Sequence, residues 1–201
     1  MRKATHMVAL CLFVSGALPG VSSAQMRDDF VMSLDSKNIR AFLEETNKVS
    51  LGQRDDMTPE NIAAYLDRHL APKGKFNSKT TFQIPGYPPQ NADMKLDKQG
   101  YIDNVMQGRG LISGYTTAIE IKDIKISGIG KAATISTIST DSGEMPWPGE
   151  NGEQKPVPIS GKSTCEQTLI VSLDHYIQMA GAECVTEITN RPFGGKPLGE
   201  E

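Results

Sequence analysis

The sequence predicts an α+β fold, with helices in its first half and strands in its second half. Residues 38–49 and 59–70 carry apolar side chains at three- and four-residue spacing, which is the pattern of one buried helix face. From Gly114 onward the apolar spacing changes to two, which indicates β-strands. The final hairpin has a cysteine at each end, Cys165 and Cys184, so we expect a disulfide within the sheet.

The disulfide prediction rests on the stretch CEQTLIVSLDHYIQMAGAEC. A two-residue turn at Asp174-His175 sets Cys165 directly opposite Cys184, at a hydrogen-bonded position with Cα atoms about 5.5 Å apart. That spacing permits a disulfide, while a wider turn or a bulge would shift the register. The bridge would close a loop of about 20 residues and stabilise the fold by roughly 3 kcal/mol. The alternative is a pair of free buried thiols.

The N-terminus is typical of a secretory signal peptide. Arg2 and Lys3 supply positive charge, residues 7–14 form an apolar run too short to span a bilayer, and small residues end at Ala24. Cleavage after Ala24 would remove Cys11 and leave two cysteines in an oxidising compartment. We therefore expect a periplasmic or secreted mature form that does not span the membrane. An uncleaved anchor is the alternative.

Composition argues against several classes of function. Removing residues 1–24 from the 201-residue chain leaves 177, and losing Arg2 and Lys3 takes the formal net charge from −3 to −5. With no basic run, we expect no nucleic-acid partner. His69 and His175 are far apart in sequence and the cysteines are engaged, so no metal is expected. No phosphate loop or nucleophile elbow appears, and we expect no cofactor.

The boundaries of three helices are marked by local signals. Their predicted starts are capping residues: Asp35 or Ser36, Thr58 followed by Pro59, and Asp97. Their predicted stops are glycines or prolines: Gly52, Pro72, and Gly108 with Gly110.

The strands are predicted from alternation. Residues 79–84 (KTTFQI) form one strand that is closed by the loop PGYPPQNAD. In the strand that follows Gly114, the apolar phase switches between Ile121 and Ile124, which predicts a β-bulge. Residues 131–140 form the next strand, and the glycine- and proline-rich stretch 141–161 is predicted to be a loop before the final hairpin.

The predicted order is helix, helix, strand, helix and four strands. In this order, and in the segments FNSKTTFQI, DKQGYIDNVM, YTTAIEIKDIKISGIGKAATIST and LIVSLDHYIQMAGAECVTEI, the chain resembles the nuclear transport factor 2-like superfamily, including SnoaL-like and ketosteroid-isomerase-like proteins. The resemblance implies a cone-like bent antiparallel sheet packed against three N-terminal helices, in an exported bacterial member. The predicted parts are a signal peptide (1–24), a leader (25–34), the domain (35–189) and a flexible tail (190–201).

The resemblance also implies a pocket between the concave face of the sheet and the helices. The candidate polar residues for this pocket are Tyr65, His69, Tyr101, Asp103 and Tyr115. For an isomerase, the resemblance implies a carboxylate base that faces a pair of hydrogen-bonding groups. No aspartate of this chain aligns with such a base. For His69 we favour the simpler reading, a histidine at the C-terminal end of a helix, where positive charge is stabilised.

Two aromatic residues in proline-rich stretches are candidates for docking. Trp147 lies between two prolines and would serve as a lid over the pocket or as a docking residue, or it would fold back to cover the core. Tyr87 precedes Pro88-Pro89 and would line the mouth of the pocket or form a rigid turn.

The favoured function is an exported, non-catalytic binding module of the cell envelope, whose partner is a small apolar molecule or an envelope protein. One alternative is a cofactor-independent SnoaL-like isomerase or dehydratase, and an inward carboxylate without a cationic partner would favour it. Another alternative is a scaffold subunit of an envelope assembly, with possible homodimers, which would require an apolar outer face of the sheet.

Overall fold

The computed structural model describes residues 30–53, 58–83, 88–108, 111–148 and 154–190. The helices are α1 (Ser36–Leu51), α2 (Pro59–His69) and α3 (Lys98–Gly108). The strands are β1 (Leu70–Gln83), β2 (Gln90–Leu96), β3 (Ser113–Ile126), β4 (Ala132–Pro148), β5 (Gln154–Val171) and β6 (Ile177–Thr189). The predicted signal peptide, its cleavage site and residues 191–201 of the predicted tail lie outside the described residues. Within the described ranges, no helix combines the length and apolarity needed to cross a membrane.

The predicted helix starts are confirmed by the hydrogen bonds that cap them. The carboxylate of Asp35 accepts hydrogen bonds from the backbone N–H groups of Lys37 and Asn38, each at 2.8 Å. The Thr58 hydroxyl oxygen accepts from the backbone N–H of Asn61 at 3.2 Å. Because the first N–H groups of a helix have no partner within the helix, these caps set where the chain begins to coil.

Two of the predicted helix ends have different outcomes. Gly52 ends α1 as predicted, with a φ of 64° that a residue bearing a side chain adopts only with strain. The prediction that Pro72 ends α2 is wrong, because α2 stops at His69 and Leu70 already begins β1. Pro72 lies near the start of β1, at an exposed position where its missing N–H costs little.

The six strands form one sheet in the order β2-β1-β6-β5-β4-β3. This arrangement, with three helices packed against a sheet that does not close, confirms the predicted α+β cone. The sheet is mixed, since β1 runs parallel to β6 while the other neighbouring strands are antiparallel.

β1 is longer than predicted, and β2 is a strand that the sequence analysis did not predict. β1 begins at Leu70 rather than at Lys79, and residues 90–93 of the predicted loop belong to β2, which pairs with β1 from Phe82↔Gln90 to Phe76↔Leu96. The loop prediction for these residues is therefore wrong. The polar composition of β2 conceals its alternation.

The bulge prediction is confirmed. The loop prediction is wrong for residues 141–148 and 154–161, while residues 149–153 lie outside the described residues. The pairing of β3 with β4 shifts register between Ile121 and Asp123. Beyond that point β4 and β5 continue as a long hairpin, from Asp141↔Gly161 to Pro148↔Gln154. Its prolines are tolerated because the hairpin outruns the flanking strands, so that one side of each strand needs no hydrogen-bond partner.

The inner face of the sheet has three zones. Beneath the helices lies the main core, whose most deeply buried side chains include Ile39, Val49, Ile62, Leu66, Ile135, Leu169 and Met179. The middle zone is buried and polar, and includes Ser78, Thr80, Thr137, Ser139, Ser163, Gln167 and Thr186. At the far end of the strands a small apolar cluster surrounds Ile159.

The disulfide between Cys165 and Cys184 is present, as predicted, but the hairpin that carries it differs from the prediction. Val171 pairs with Ile177, so the connection is wider than the predicted two-residue turn. A register shift between Thr168 and Leu169 compensates, and Cys165 again faces Cys184. Their Cα atoms are 4.2 Å apart, which is nearer to the spacing of non-hydrogen-bonded pairs than to the predicted hydrogen-bonded position.

The last residues of the predicted leader are held against the sheet. The backbone N–H of Val31 donates to the His175 carbonyl at 2.7 Å, and that of Leu34 donates to the Gly130 carbonyl at 2.7 Å. The Phe30 ring packs on the His175 ring at a centroid distance of 4.4 Å. Residues 31–34 are therefore held by the turn that contains His175 and by the turn that contains Gly130.

Candidate functional site

A small cavity of about 30 Å³ lies at the end of the strands opposite the helical core and is open on one side. Its walls come from β4, β5, β6 and the residues at the start of β3. The lining residues are Ile112, Tyr115, Asp141, Ser142, Ile159, Gly161, Thr186 and Ile188. The cavity is therefore mostly apolar, with one ionisable pair, Tyr115 and Asp141.

Tyr115 and Asp141 are joined by a short hydrogen bond. The Tyr115 hydroxyl donates to Asp141 Oδ1 at 2.7 Å, and the Ser139 hydroxyl donates to Oδ2 at 3.5 Å, which is a weak contact. Thr117 faces Asp141 across the β3–β4 ladder. Among the described residues, none forms an ion pair with Asp141. The second carboxylate oxygen therefore keeps capacity to accept a further hydrogen bond.

Two glycines leave the space around this pair. Gly161 faces Asp141 across the β4–β5 ladder, and a Cβ atom at position 161 would lie 3.4 Å from Asp141 Oδ2. Gly143 follows on the same face of β4, and a Cβ atom there would collide with the side chain of Ile112, which also lines the cavity. A larger residue at position 161 would occupy the space next to Oδ2, and one at position 143 would displace Ile112, so both glycines shape the cavity.

Burial changes the protonation of both groups. Burial raises the pKa of the Asp141 carboxyl above its ordinary value, and the nearby hydroxyls of Tyr115, Thr117 and Ser139 oppose that shift. Burial, reinforced by the negative charge of Asp141, raises the pKa of the Tyr115 phenol far above its ordinary value. The phenol therefore stays a proton donor, while the carboxyl holds its proton at a higher pH than an exposed aspartate does.

Thr117 lies close to both groups. Its hydroxyl oxygen is fully buried and lowers the pKa of Asp141 and of Tyr115, although neither contact has the geometry of a full hydrogen bond. Together with Ser139 it surrounds the carboxylate with hydroxyl oxygens rather than with cations. Such a site can accept hydrogen bonds from a small guest.

The structure places Tyr65 and His69 away from the cavity, in an aromatic cluster beneath α1. The Tyr65 hydroxyl and the Thr46 hydroxyl share a hydrogen bond of 3.1 Å, and the ring centroids of Tyr65 and His69 are 4.4 Å apart. Nδ1 of the buried His69 donates to the Ile177 carbonyl at 2.8 Å. His69 is the last residue of α2, where we expected it, and it ties the helix to β6.

The two candidates on α3 do not line the cavity either. Tyr101 is buried against Phe76, with ring centroids 4.7 Å apart. Asp103 is exposed and accepts a hydrogen bond from Gln99 Nε2 at 2.9 Å. Of the five pocket candidates, Tyr115 is the one that lines the cavity.

The two docking candidates lie in different parts of the chain. The backbone of Trp147 belongs to β4 and pairs with Lys155 in the long hairpin, beyond the cavity, rather than in a loop. Tyr87 lies outside the described residues.

Asp141 is the site residue that the sequence analysis missed. It was taken as the first residue of a loop, although the alternation of Ile135, Thr137 and Ser139 extends to it without a break. In the described part of the chain, no group of three or more histidine, cysteine, aspartate or glutamate side chains could hold a metal ion.

No family model matches the chain, and no curated protein matches it significantly. A protein from Kribbella flavida is 15% identical, with a TM-score of 0.48 and coverage of 76% of this chain and 93% of that protein. A ketosteroid isomerase-like protein from Erwinia carotovora atroseptica is 15% identical, with a TM-score of 0.36 and coverage of 71% and 91%. An NTF-2 like protein of unknown function from Pseudomonas aeruginosa is 13% identical, with a TM-score of 0.42 and coverage of 69% and 85%. Each of these TM-scores is below 0.5, so none of these likenesses indicates a function for this chain.

Proposed function

We propose that this chain is an exported, cofactor-independent binding module that holds a small, largely apolar molecule in the cavity at Asp141 and Tyr115. The observation that carries the proposal is a half-buried carboxylate, without an ion pair among the described residues, in a cavity whose other walls are Ile112, Ile159 and Ile188 together with Ser142, Gly161 and Thr186. A buried acceptor is costly unless it is hydrogen-bonded, so a guest that donates to Asp141 would be stabilised there. The predicted signal peptide supports export, and so does the disulfide, which persists in oxidising compartments such as the periplasm.

The arrangement of the pair favours binding over catalysis. Proton transfer next to a carbonyl needs a base on one side of the substrate and a hydrogen-bond donor where negative charge develops. Here the Tyr115 hydroxyl donates to Asp141 itself at 2.7 Å, so the two groups lie side by side rather than on opposite walls of the cavity. The pair therefore forms one polar anchor.

A cofactor-independent isomerase or dehydratase is the second candidate. Asp141 is an inward carboxylate without a cationic partner among the described residues, which is the feature expected to favour an enzyme. Its raised pKa also suits a group that exchanges protons. Deuterium incorporation from D₂O into a panel of small ketones, present with wild-type protein and absent with Asp141→Asn, would support this candidate.

A scaffold that assembles through the outer face of the sheet has less support. That face exposes charged side chains, among them Lys79, Lys162, Glu166 and Glu183, and the apolar Val185 is an isolated exception. The extended apolar surface that such assembly requires is not found on the described strands. Docking to an envelope protein and formation of a homodimer stay predictions.

The test of the proposed function is an NMR titration of the ¹⁵N-labelled, unreduced protein with 1-hexanol. We expect saturable shifts of the Gly161 and Thr186 amides, which line the cavity, and little change at Tyr101 in the helical core. Absence of saturable shifts at the cavity with 1-hexanol and also with hexylamine would refute the proposal.

A further inference from the structure

We propose that the molecule held at Asp141 carries an ammonium group on an aliphatic body, so that the cavity is an amine-binding site. This inference rests on the proposed binding function and names the chemical class of its ligand. The observation behind it is the juxtaposition of a cation-free carboxylate, surrounding hydroxyl oxygens and an isoleucine-lined opening.

The polar atoms offered by side chains at this site are all oxygens. Asp141 Oδ2 has one weak contact, from Ser139 at 3.5 Å, and the Thr117 hydroxyl oxygen is buried beside the carboxylate. The phenolic oxygen of Tyr115 donates its proton to Asp141 and keeps its lone pairs. These acceptors match a guest that brings several donors.

The cation nearest to the site along β5 cannot serve Asp141. Lys162 follows Gly161, so its side chain points to the opposite face of the sheet, where it is exposed. Glu187 lies beside Thr186 on the same outer face and is also exposed. No described cationic side chain is paired with Asp141, so a positive charge would have to come from a ligand.

An ammonium group fits these acceptors better than a hydroxyl or a carboxylate does. It supplies three donors and no acceptor, whereas an alcohol supplies one donor. Its charge-assisted hydrogen bond to a partly buried carboxylate is shorter and stronger than a neutral one. A carboxylate ligand would instead place two negative charges together, which is unfavourable.

The cavity has room for the head group and an apolar path for the body. Its volume of about 30 Å³ admits an ammonium group and not a bulky molecule. Gly161 keeps the space next to Oδ2 free, and Ile112, Ile159 and Ile188 line the walls. An aliphatic chain leaving through the open side would therefore lie against isoleucines.

The test compares three probes with the same six-carbon chain: hexylamine, 1-hexanol and hexanoate, each titrated into the ¹⁵N-labelled protein at neutral pH. We expect the Kd of hexylamine to be lower than that of 1-hexanol by roughly tenfold, and hexanoate to bind more weakly than either. Asp141→Asn should reduce the amine preference to within about twofold of none. Asp93→Asn, which removes an exposed carboxylate from β2, is the matched control and should keep the full preference.

Each outcome decides between the two proposals. If 1-hexanol binds as tightly as hexylamine, the amine inference is overturned while the binding function stands; if no probe binds, both are overturned. A full amine preference in Asp141→Asn would also overturn the inference. If Asp141→Asn fails to fold, Thr117→Val serves instead, because it removes one oxygen acceptor at constant size. This variant should lower the preference for hexylamine severalfold. An unchanged preference would count against the inference.

Discussion

Removal of the disulfide should destabilise the domain by an amount that follows from its place in the chain. Cys165 and Cys184 are 19 residues apart in sequence, and the chain-entropy relation for a loop of that length gives about 3 kcal/mol. For a domain of this size, that loss lowers the melting temperature by roughly 6 to 12 °C. Both cysteines are buried, so alanine at each position adds a small packing loss.

The assay is urea unfolding of the oxidised protein, the reduced protein and the double variant Cys165→Ala/Cys184→Ala. Reduction should lower the free energy of unfolding of the wild type by about 3 kcal/mol and leave that of the double variant unchanged. A loss below about 1 kcal/mol, or an equal response of the variant to reductant, would refute the reasoning. Two free thiols in the unfolded, unreduced protein would refute the bridge itself.

Three further predictions concern the site and its surroundings. A raised Asp141 pKa means that the folded state keeps this proton longer than the unfolded state, whose value is near 3.8, so stability is lost as pH rises through that window. In thermal unfolding, the free energy of unfolding of Asp141→Asn should therefore equal that of the wild type at pH 3 and exceed it at pH 7. The excess should be about 1.4 kcal/mol for each unit that separates the folded-state pKa of Asp141 from its unfolded-state pKa. Equal stability at pH 7 would contradict this. Gly161→Ala should fold normally and weaken hexylamine binding at least threefold by calorimetry, because its Cβ atom would lie 3.4 Å from Oδ2; unchanged affinity would argue against the site. His69→Leu should cost roughly 1–3 kcal/mol in urea unfolding, since it leaves the Ile177 carbonyl without its donor, and should leave ligand affinity within about twofold of wild type; a binding defect would place His69 in the site after all.

The helix starts could be predicted because local chemistry sets them. Asp35 and Thr58 satisfy N–H groups a few residues away, so their effect is readable from a short window. The parallel pairing of β1 with β6 joins segments far apart along the chain and has no local signal. β2 was missed because its inner residues, such as Met94, are only half-buried between polar neighbours.

The site was half predictable for a similar reason. Tyr115 was among the pocket candidates that the family resemblance implied, and it lines the cavity. Asp141 was missed because the glycines and prolines that follow it suggested a loop, whereas the strands simply continue as a hairpin. Its contact with Tyr115 runs diagonally beside the pair Thr117↔Asp141, in a pairing register of β3 with β4 that no sequence pattern indicates.

The central claim, that the cavity at Asp141 holds a small molecule, is tested most directly by native mass spectrometry. The wild type, Asp141→Asn and Asp93→Asn would each be purified from the cell envelope without reduction. We expect the wild type and Asp93→Asn to retain a small-molecule adduct that Asp141→Asn has lost. Bare protein masses for all three, or an adduct that persists in Asp141→Asn, would contradict the account.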